Sequence, residues 1–201
     1  HKTKANKYFS MLIYLLTIIG FVLTILGVIL MEPMAKLLGA NENMLQNCVV
    51  YGRTLLIFLI PFCLQNAFQS FLIVAEKPTL GLIISIVSGV SNMILDFWLI
   101  YVLKMGVLGA ALATGISQII GGIIPIFYFA TKKNHILQFA KAKFELKPII
   151  QSCINGSSEM LTNLSMSLVN MLFNMQLMKY VGSDGVVAFG IIMYVGFIFS
   201  G

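Results

Sequence analysis

The 201-residue sequence is 59% hydrophobic and only 10% charged, with a mean hydropathy of +0.95. Soluble domains carry roughly 25% charged residues and about 45–50% apolar ones, so 13 Lys and Arg with 7 Asp and Glu cannot clothe a water-facing surface of this size. The balance excludes a soluble enzyme or a nucleic-acid binder, and the net charge of +6 sits between apolar runs, as in an integral membrane protein.

A membrane-crossing helix needs about 20 predominantly apolar residues. The first such run, residues 11–31, follows Lys2, Lys4 and Lys7 and imitates a secretory leader. It is too long for a leader's apolar core, and no small-residue cleavage pattern follows it, so it is predicted to span. Further runs cover residues 54–75, 80–103 and 107–130. A basic linker over residues 132–147 then separates them from a fifth, more polar run at 149–180. A sixth run starts at Val186 and is still apolar at Gly201. The predicted fold is an all-α, polytopic transmembrane helix bundle of about six spans. The chain opens at His1 without an initiator Met and closes inside a run, so it is expected to be an internal fragment.

Positive residues near helix ends are retained on the cytoplasmic side. One set of alternate loops holds nine lysines: Lys2, Lys4, Lys7, Lys77, Lys132, Lys133, Lys141, Lys143 and Lys147. The other set holds four cations, Lys36, Arg53, Lys104 and Lys179. The nine are predicted to be cytoplasmic, which makes residues 132–147 a cytoplasmic connection between two bundles, 1–131 and 148–201. Cys48, Cys63 and Cys153 show no CxxC spacing, and His1 and His135 only flank runs, so neither a disulfide framework nor a metal site is expected. The sequons at Asn155 and Asn163 fall at or within the membrane on this topology and are not read as glycosylation sites.

Polar residues inside the runs form stripes. An ionisable group in a spanning helix costs about 2.5–3.5 kcal/mol on insertion scales, so it should face protein or a watery cavity. Pro61 is expected to kink its helix by removing a backbone donor, and Gln65, Asn66 and Gln69 follow it. In the next run Ser85, Ser88, Asn92 and Asp96 fall within roughly 80° of one another at 100° per residue. Asp96 reads either as a capped or paired carboxylate near a helix end, or as a proton or cation site. Gly106, Gly109, Ala110, Ala111, Ala113 and Gly115 give small-residue spacing for close helix approach, followed by a polar patch of Thr114, Ser117 and Gln118. Glu159, Asn163, Ser167, Asn170 and Asn174 again fall within roughly 80° and are expected to line a cavity, because such a stripe would lack partners in lipid. The methionines Met160, Met166, Met171, Met175 and Met178 read as packing residues or as an adaptable lining.

These residues resemble the multidrug and toxic-compound extrusion (MATE) transporters. The likeness is carried by Glu32-Pro33-Met-Ala-Lys-Leu-Leu-Gly-Ala40 after the first helix, and by Ala75-Glu-Lys-Pro-Thr-Leu80 leading into Ser91-Asn92-Met-Ile-Leu-Asp96. It continues in Gly106-Val-Leu-Gly-Ala-Ala-Leu-Ala-Thr114-Gly-Ile-Ser-Gln118 and in Lys179-Tyr-Val-Gly182. Asn155-Gly-Ser-Ser-Glu159 resembles one bacterial and archaeal branch. The resemblance implies twelve helices in two six-helix lobes related as repeats, with this chain holding helices three to six of the N-lobe and the start of the C-lobe. It also implies that Asn92, Asp96 and Thr114 belong to an N-lobe cluster coupled to protons or sodium. Gln69 and Asn66 stand nearest the family's helix-four Asn. Ser167 falls where some members carry a helix-seven acid.

The expected function is cation-coupled antiport, driven by H⁺ or Na⁺ and exporting drugs or organic cations. Asp96, Asn92, Thr114 and Gln69 form the candidate coupling site. Gln65, Asn66, Gln118, Glu159, Asn163, Ser167, Asn170 and Asn174 are candidate cavity residues. The alternative is a flippase or exporter of lipid-linked oligosaccharide or peptidoglycan precursor, whose anionic cargo calls for basic residues inside the cavity. An intramembrane enzyme is not expected: no span pairs two acids, and Ser157 and Ser158 beside Glu159 lack a base. Expected partners are the lipid bilayer and small cationic or amphipathic molecules, with no nucleic acid. The protein is expected in the cell membrane as a multi-pass monomer, with no cofactor beyond the coupling ion.

Overall fold

The computed structural model describes residues 2–38, 40, 42–131, 137–140 and 144–200, the side chains of 2, 42, 43, 194 and 196–200 excepted. His1, Lys132, Lys133, His135, Lys141 and Lys143 therefore lie outside the described residues. The described chain is helical: α1 Lys2–Leu37, α2 Glu42–Ile57, α3 Leu59–Val74, α4 Pro78–Asp96, a π-helical segment Phe97–Val102, α5 Gly106–Thr131, α6 Leu146–Tyr180 and α7 Ser183–Ser200. Two compact units result, residues 1–146 and 147–201. Among the described residues, three helices are long and apolar enough to cross a membrane, or four if the bent pair α2 and α3 is one span. These answer to the first four predicted runs. Helix α6 has the length, but its polar stripe sets it apart, and the apolar part of α7 at Ser183–Met193 is short.

Three boundaries differ from the sequence reading. Helix α1 continues past residue 31 to Leu37 with Pro33 inside it, so the Glu32-Pro33 segment belongs to the helix rather than following it. Lys36 reaches back to Glu32 at 2.9 Å, a helical i,i+4 ion pair in that last turn. The run predicted over 54–75 is two helices, because α2 begins at Glu42 and ends at Ile57, where the chain bends by 52°. Pro61 explains the position: it has no N–H for the Ile57 carbonyl, and its ring collides with that carbonyl four residues back. Thr24 of α1 donates to the neighbouring Leu56 carbonyl at 3.0 Å, supplying a partner where the helical ladder is broken. The run predicted over 80–103 starts with Pro78 at the head of α4 and changes to π geometry after Asp96.

Within the first unit α5 lies at the centre, packed on α2, α3 and α4, while α1 packs on α2 and α3. Its most apolar stretch is 39% buried, against 11% for those of α1 and α4. Small residues make this possible. The Phe58 ring lies against Gly115, the Gln65 amide against Gly121, and the Pro61 carbonyl against Gly122. One end of the unit is closed by an apolar cluster that includes Phe9, Phe68, Phe129 and Leu137. Phe9 meets Phe71 edge-on at 4.8 Å and Phe129 and Phe139 at 5.1 Å.

Leu137 and Phe139 come from the predicted linker, so the described part of that segment is docked. The Gln138 N–H donates to Asn6 Oδ1 at 3.0 Å and the Ala140 N–H to Ser10 Oγ at 2.9 Å. Tyr8 donates to Glu145 Oε2 at 3.4 Å. Acceptors four residues apart on α1 thus receive alternate N–H groups of an extended strand of chain, whose buried backbone needs such partners.

In the second unit α6, ending at Tyr180, is followed by Gly182, which takes a left-handed φ of +83° while Leu177 O accepts from Val181 and Gly182 N–H. Asp184 lies in the first turn of α7, where the helix dipole favours a negative charge. Phe173 and Phe189 pack the two helices at a centroid distance of 4.8 Å.

Candidate functional site

Helices α3, α4 and α5 line an open cavity of about 370 Å³. Six of the candidate site residues line it together: Gln65, Asn66, Gln69, Asn92, Thr114 and Gln118. Three different helices contribute them, each from the polar face that its own periodicity defines. Ser85, Ser88 and Ser117, named in the same polar stripe and patch of the sequence, line the cavity too, although none was put among the candidate site residues. The signal was available, since 85, 88 and 92 on one helix and 114, 117 and 118 on another are helical neighbours.

Hydrogen bonds join the walls. Gln69 Nε2 donates to the Gly81 carbonyl at 3.1 Å and to Ser85 Oγ at 2.8 Å, tying α3 to α4. A side chain on Gly81 would collide with the Gln69 amide, its Cβ falling 2.8 Å from Oε1. Ser88 Oγ donates to the Ser117 carbonyl at 2.7 Å, tying α4 to α5, and both serines are buried. Ser117 Oγ and Thr114 Oγ1 donate back into α5, to Thr114 O at 2.7 Å and Ala110 O at 3.0 Å. Asn66 likewise donates to Phe62 O at 2.9 Å. Asn92 Nδ2 is buried without a partner. An amide donor left so costs roughly 1–3 kcal/mol and marks a place where an oxygen acceptor would be favoured.

The cavity lining carries no charged side chain. Asp96, the fourth predicted coupling residue, ends α4 one turn beyond Asn92 and is half-buried but outside the lining. Its side chain makes no ion pair or hydrogen bond among the described residues. The π-helical segment begins directly after it, with the Leu103 N–H reaching the Trp98 carbonyl at 2.9 Å and Phe97 stacked on Tyr101 at 5.3 Å. π-helical turns are frequent at functional sites.

The α6 candidates belong to the other unit. Glu159, Asn163 and Ser167 are exposed, and Asn170 and Asn174 are half-buried. Asn174 Oδ1 is buried without a partner. Ser157 donates to its own helix at Ile154 O, 2.7 Å. A second cavity, about 410 Å³, lies between α1 and α3 and is lined by Leu12, Leu16, Ile19, Cys63, Ala67 and Phe71 among others. No group of three or more potential metal ligands occurs among the described residues.

With this geometry in hand, the chain can be set beside known proteins. The MatE family model matches residues 1–98. The chain is 28% identical over 194 residues to the "Multidrug export protein MepA" of Staphylococcus saprophyticus, an alignment covering 94% of this chain and 42% of that protein. Its fold matches the structure described as an "inward-facing conformation of a multidrug resistance MATE family transporter of the MOP superfamily", with a TM-score of 0.86, 22% identity, and 94% and 43% of the two chains covered. It also matches a MOP superfamily transporter from Pyrococcus furiosus, with a TM-score of 0.85, 22% identity, and 98% and 44% covered. The chain thus spans less than half the length of the relatives it matches.

Proposed function

We propose that this chain, whose residues 1–98 match the MatE family model and which is 28% identical to a multidrug export protein, forms part of a cation-coupled antiporter that exports drugs or organic cations across the cell membrane. The observation that carries the reading is the cavity of α3, α4 and α5, with neutral amide and hydroxyl walls and one carboxylate, Asp96, a turn beyond Asn92. Coupling requires a ligand whose affinity differs between two conformations. Asp96 supplies the difference, since protonation or ion binding cancels the charge that would attract a cationic cargo. Asn92, one turn before it, and Thr114 in the cavity wall offer neutral oxygens for either H⁺ or Na⁺ coupling, while Gln69 is bonded to Gly81 and Ser85 further back along α4.

In this reading residues 1–131 are the latter part of an N-lobe, 132–147 a cytoplasmic connection and 148–201 the start of a C-lobe. The basic loops face the cytoplasm, the protein works as a monomer, and the polar stripe of α6 lines the cargo path. Nothing favours a lipid-linked precursor as cargo: its phosphates would need cationic side chains, and the cavity has none. The experiment is ethidium movement in vesicles containing the full-length protein, under an imposed pH gradient and then a sodium gradient. Ion-driven movement in wild type, lost in Asp96→Asn, is the expected result, and the effective gradient names the ion. Wild-type movement in Asp96→Asn would return Asp96 to a structural role.

A further inference from the structure

We infer that Ser88 is a positioning residue for the proposed coupling site, holding Asn92 against Thr114 through the backbone of Ser117. The inference rests on the reading of that site as the place where the coupling ion binds. Ser88 lies one turn before Asn92 on α4, and Ser117 one turn after Thr114 on α5. The Ser88 hydroxyl donates to the Ser117 carbonyl at 2.7 Å, and Ser88 is only 5% exposed. A bond buried to that degree is largely shielded from solvent, so it helps to set the distance between the two helices at the level of the cavity.

Asn92 needs such help. Its Nδ2 is buried without a partner, so no bond on that nitrogen holds the carboxamide in place. The position of its oxygen follows the position of α4, and the nearest direct tie from α4 to α5 is the Ser88 bond. The Gln69 bonds to Gly81 and Ser85 hold the same helix from the α3 side. The two ties thus hold α4 from two sides.

The chemistry separates this role from a purely structural one. The Ser117 carbonyl lies inside α5, where the N–H four residues on is its ordinary partner. Removing the Ser88 hydroxyl therefore orphans no acceptor, and the fold should survive. What is lost is the fixed separation of the ion's proposed oxygen ligands.

The test uses the full-length protein in vesicles, with transport measured against the concentration of the coupling ion for wild type, Ser88→Ala, Ser88→Thr and Asp96→Asn. Ser88→Ala is expected to raise the half-saturating ion concentration about three- to tenfold, the worth of one buried hydrogen bond. Its maximal rate and cargo affinity should stay within about twofold. Ser88→Thr keeps the hydroxyl and should restore the wild-type value. If Ser88→Ala does not fold, Ser88→Cys, similar in size and a weak donor, replaces it with the same expected direction. Wild-type ion dependence in Ser88→Ala beside a lost response in Asp96→Asn would overturn the positioning role alone. A fall in maximal rate with unchanged half-saturation would also overturn it. Unchanged ion dependence in Asp96→Asn would remove the coupling reading, and this inference with it.

Discussion

The ring of Phe58 fills the space that a side chain on Gly115 would need: a Cβ there would lie 2.1 Å from the ring's Cδ2. Phe58 is the residue at which α2 gives way to α3, so the bend of one span is seated on the small-residue face of another. Gly115→Ala must displace that ring. Overpacking of this kind costs typically about 1–3 kcal/mol, so the thermal midpoint of the full-length protein in detergent should fall. Phe58→Ala combined with Gly115→Ala should lose less than the sum of the two single changes, as expected for residues in direct contact. Additive losses would mean that the ring does not sit there.

The bend itself has a separate test. Pro61→Ala returns an N–H to the Ile57 carbonyl and removes the ring that collides with it. Spin labels at Gln46 and Ile73, on either side of the 52° break, should then move apart by about 4 Å, from 1.5 Å rise per residue in a straightened helix. An unchanged distance would place the cause of the bend in the packing of Phe58 rather than in proline.

At the end of α3, Glu76 takes a left-handed φ of 58°. The Glu76 N–H bonds to Ile73 O at 3.0 Å and the Lys77 N–H to Leu72 O at 2.8 Å, the paired bonds of a Schellman cap. A residue with a Cβ is strained there, so Glu76→Gly should stabilise by about 0.5–1 kcal/mol, read as a higher unfolding midpoint.

The docked part of the linker makes a prediction that a free tether would not. Ser10→Ala removes the acceptor of the Ala140 N–H, and Leu137→Ala opens a hole in the cluster around Phe9. Leu137→Ala should cost roughly 2–5 kcal/mol and Ser10→Ala about 1–3 kcal/mol. Both should speed trypsin cleavage within the linker relative to wild type. Equal cleavage rates in all three proteins would show that the strand is not held in solution.

Much of the site could be read in advance because a helix's own geometry places its residues. At 100° per residue, Asn92, Thr114, Gln65, Asn66, Gln69 and Gln118 had to lie on polar faces, and all six line one cavity. The serines fell on the same polar faces, but their bonding partners could not be read. A serine in a helix ordinarily bonds to its own backbone, as Ser117, Thr114 and Ser157 do. Ser88 instead crosses to α5, and nothing in its local sequence distinguishes it from the others.

By itself, then, the sequence determined the membrane character, the apolar runs and the face of each helix on which polar groups fall. All of these depend on composition or on residues within a turn or two of one another. The tertiary structure decided which faces meet, where the second run breaks, that α1 extends through Pro33, and that the linker's middle packs against α1. The contacts responsible join Ser88 to Ser117 across 29 positions and Asn6 to Gln138 across 132. Local periodicity carries no information about such pairs. They are selected only when the helices pack, by the small residues that let backbones approach and by the cost of burying a polar group alone.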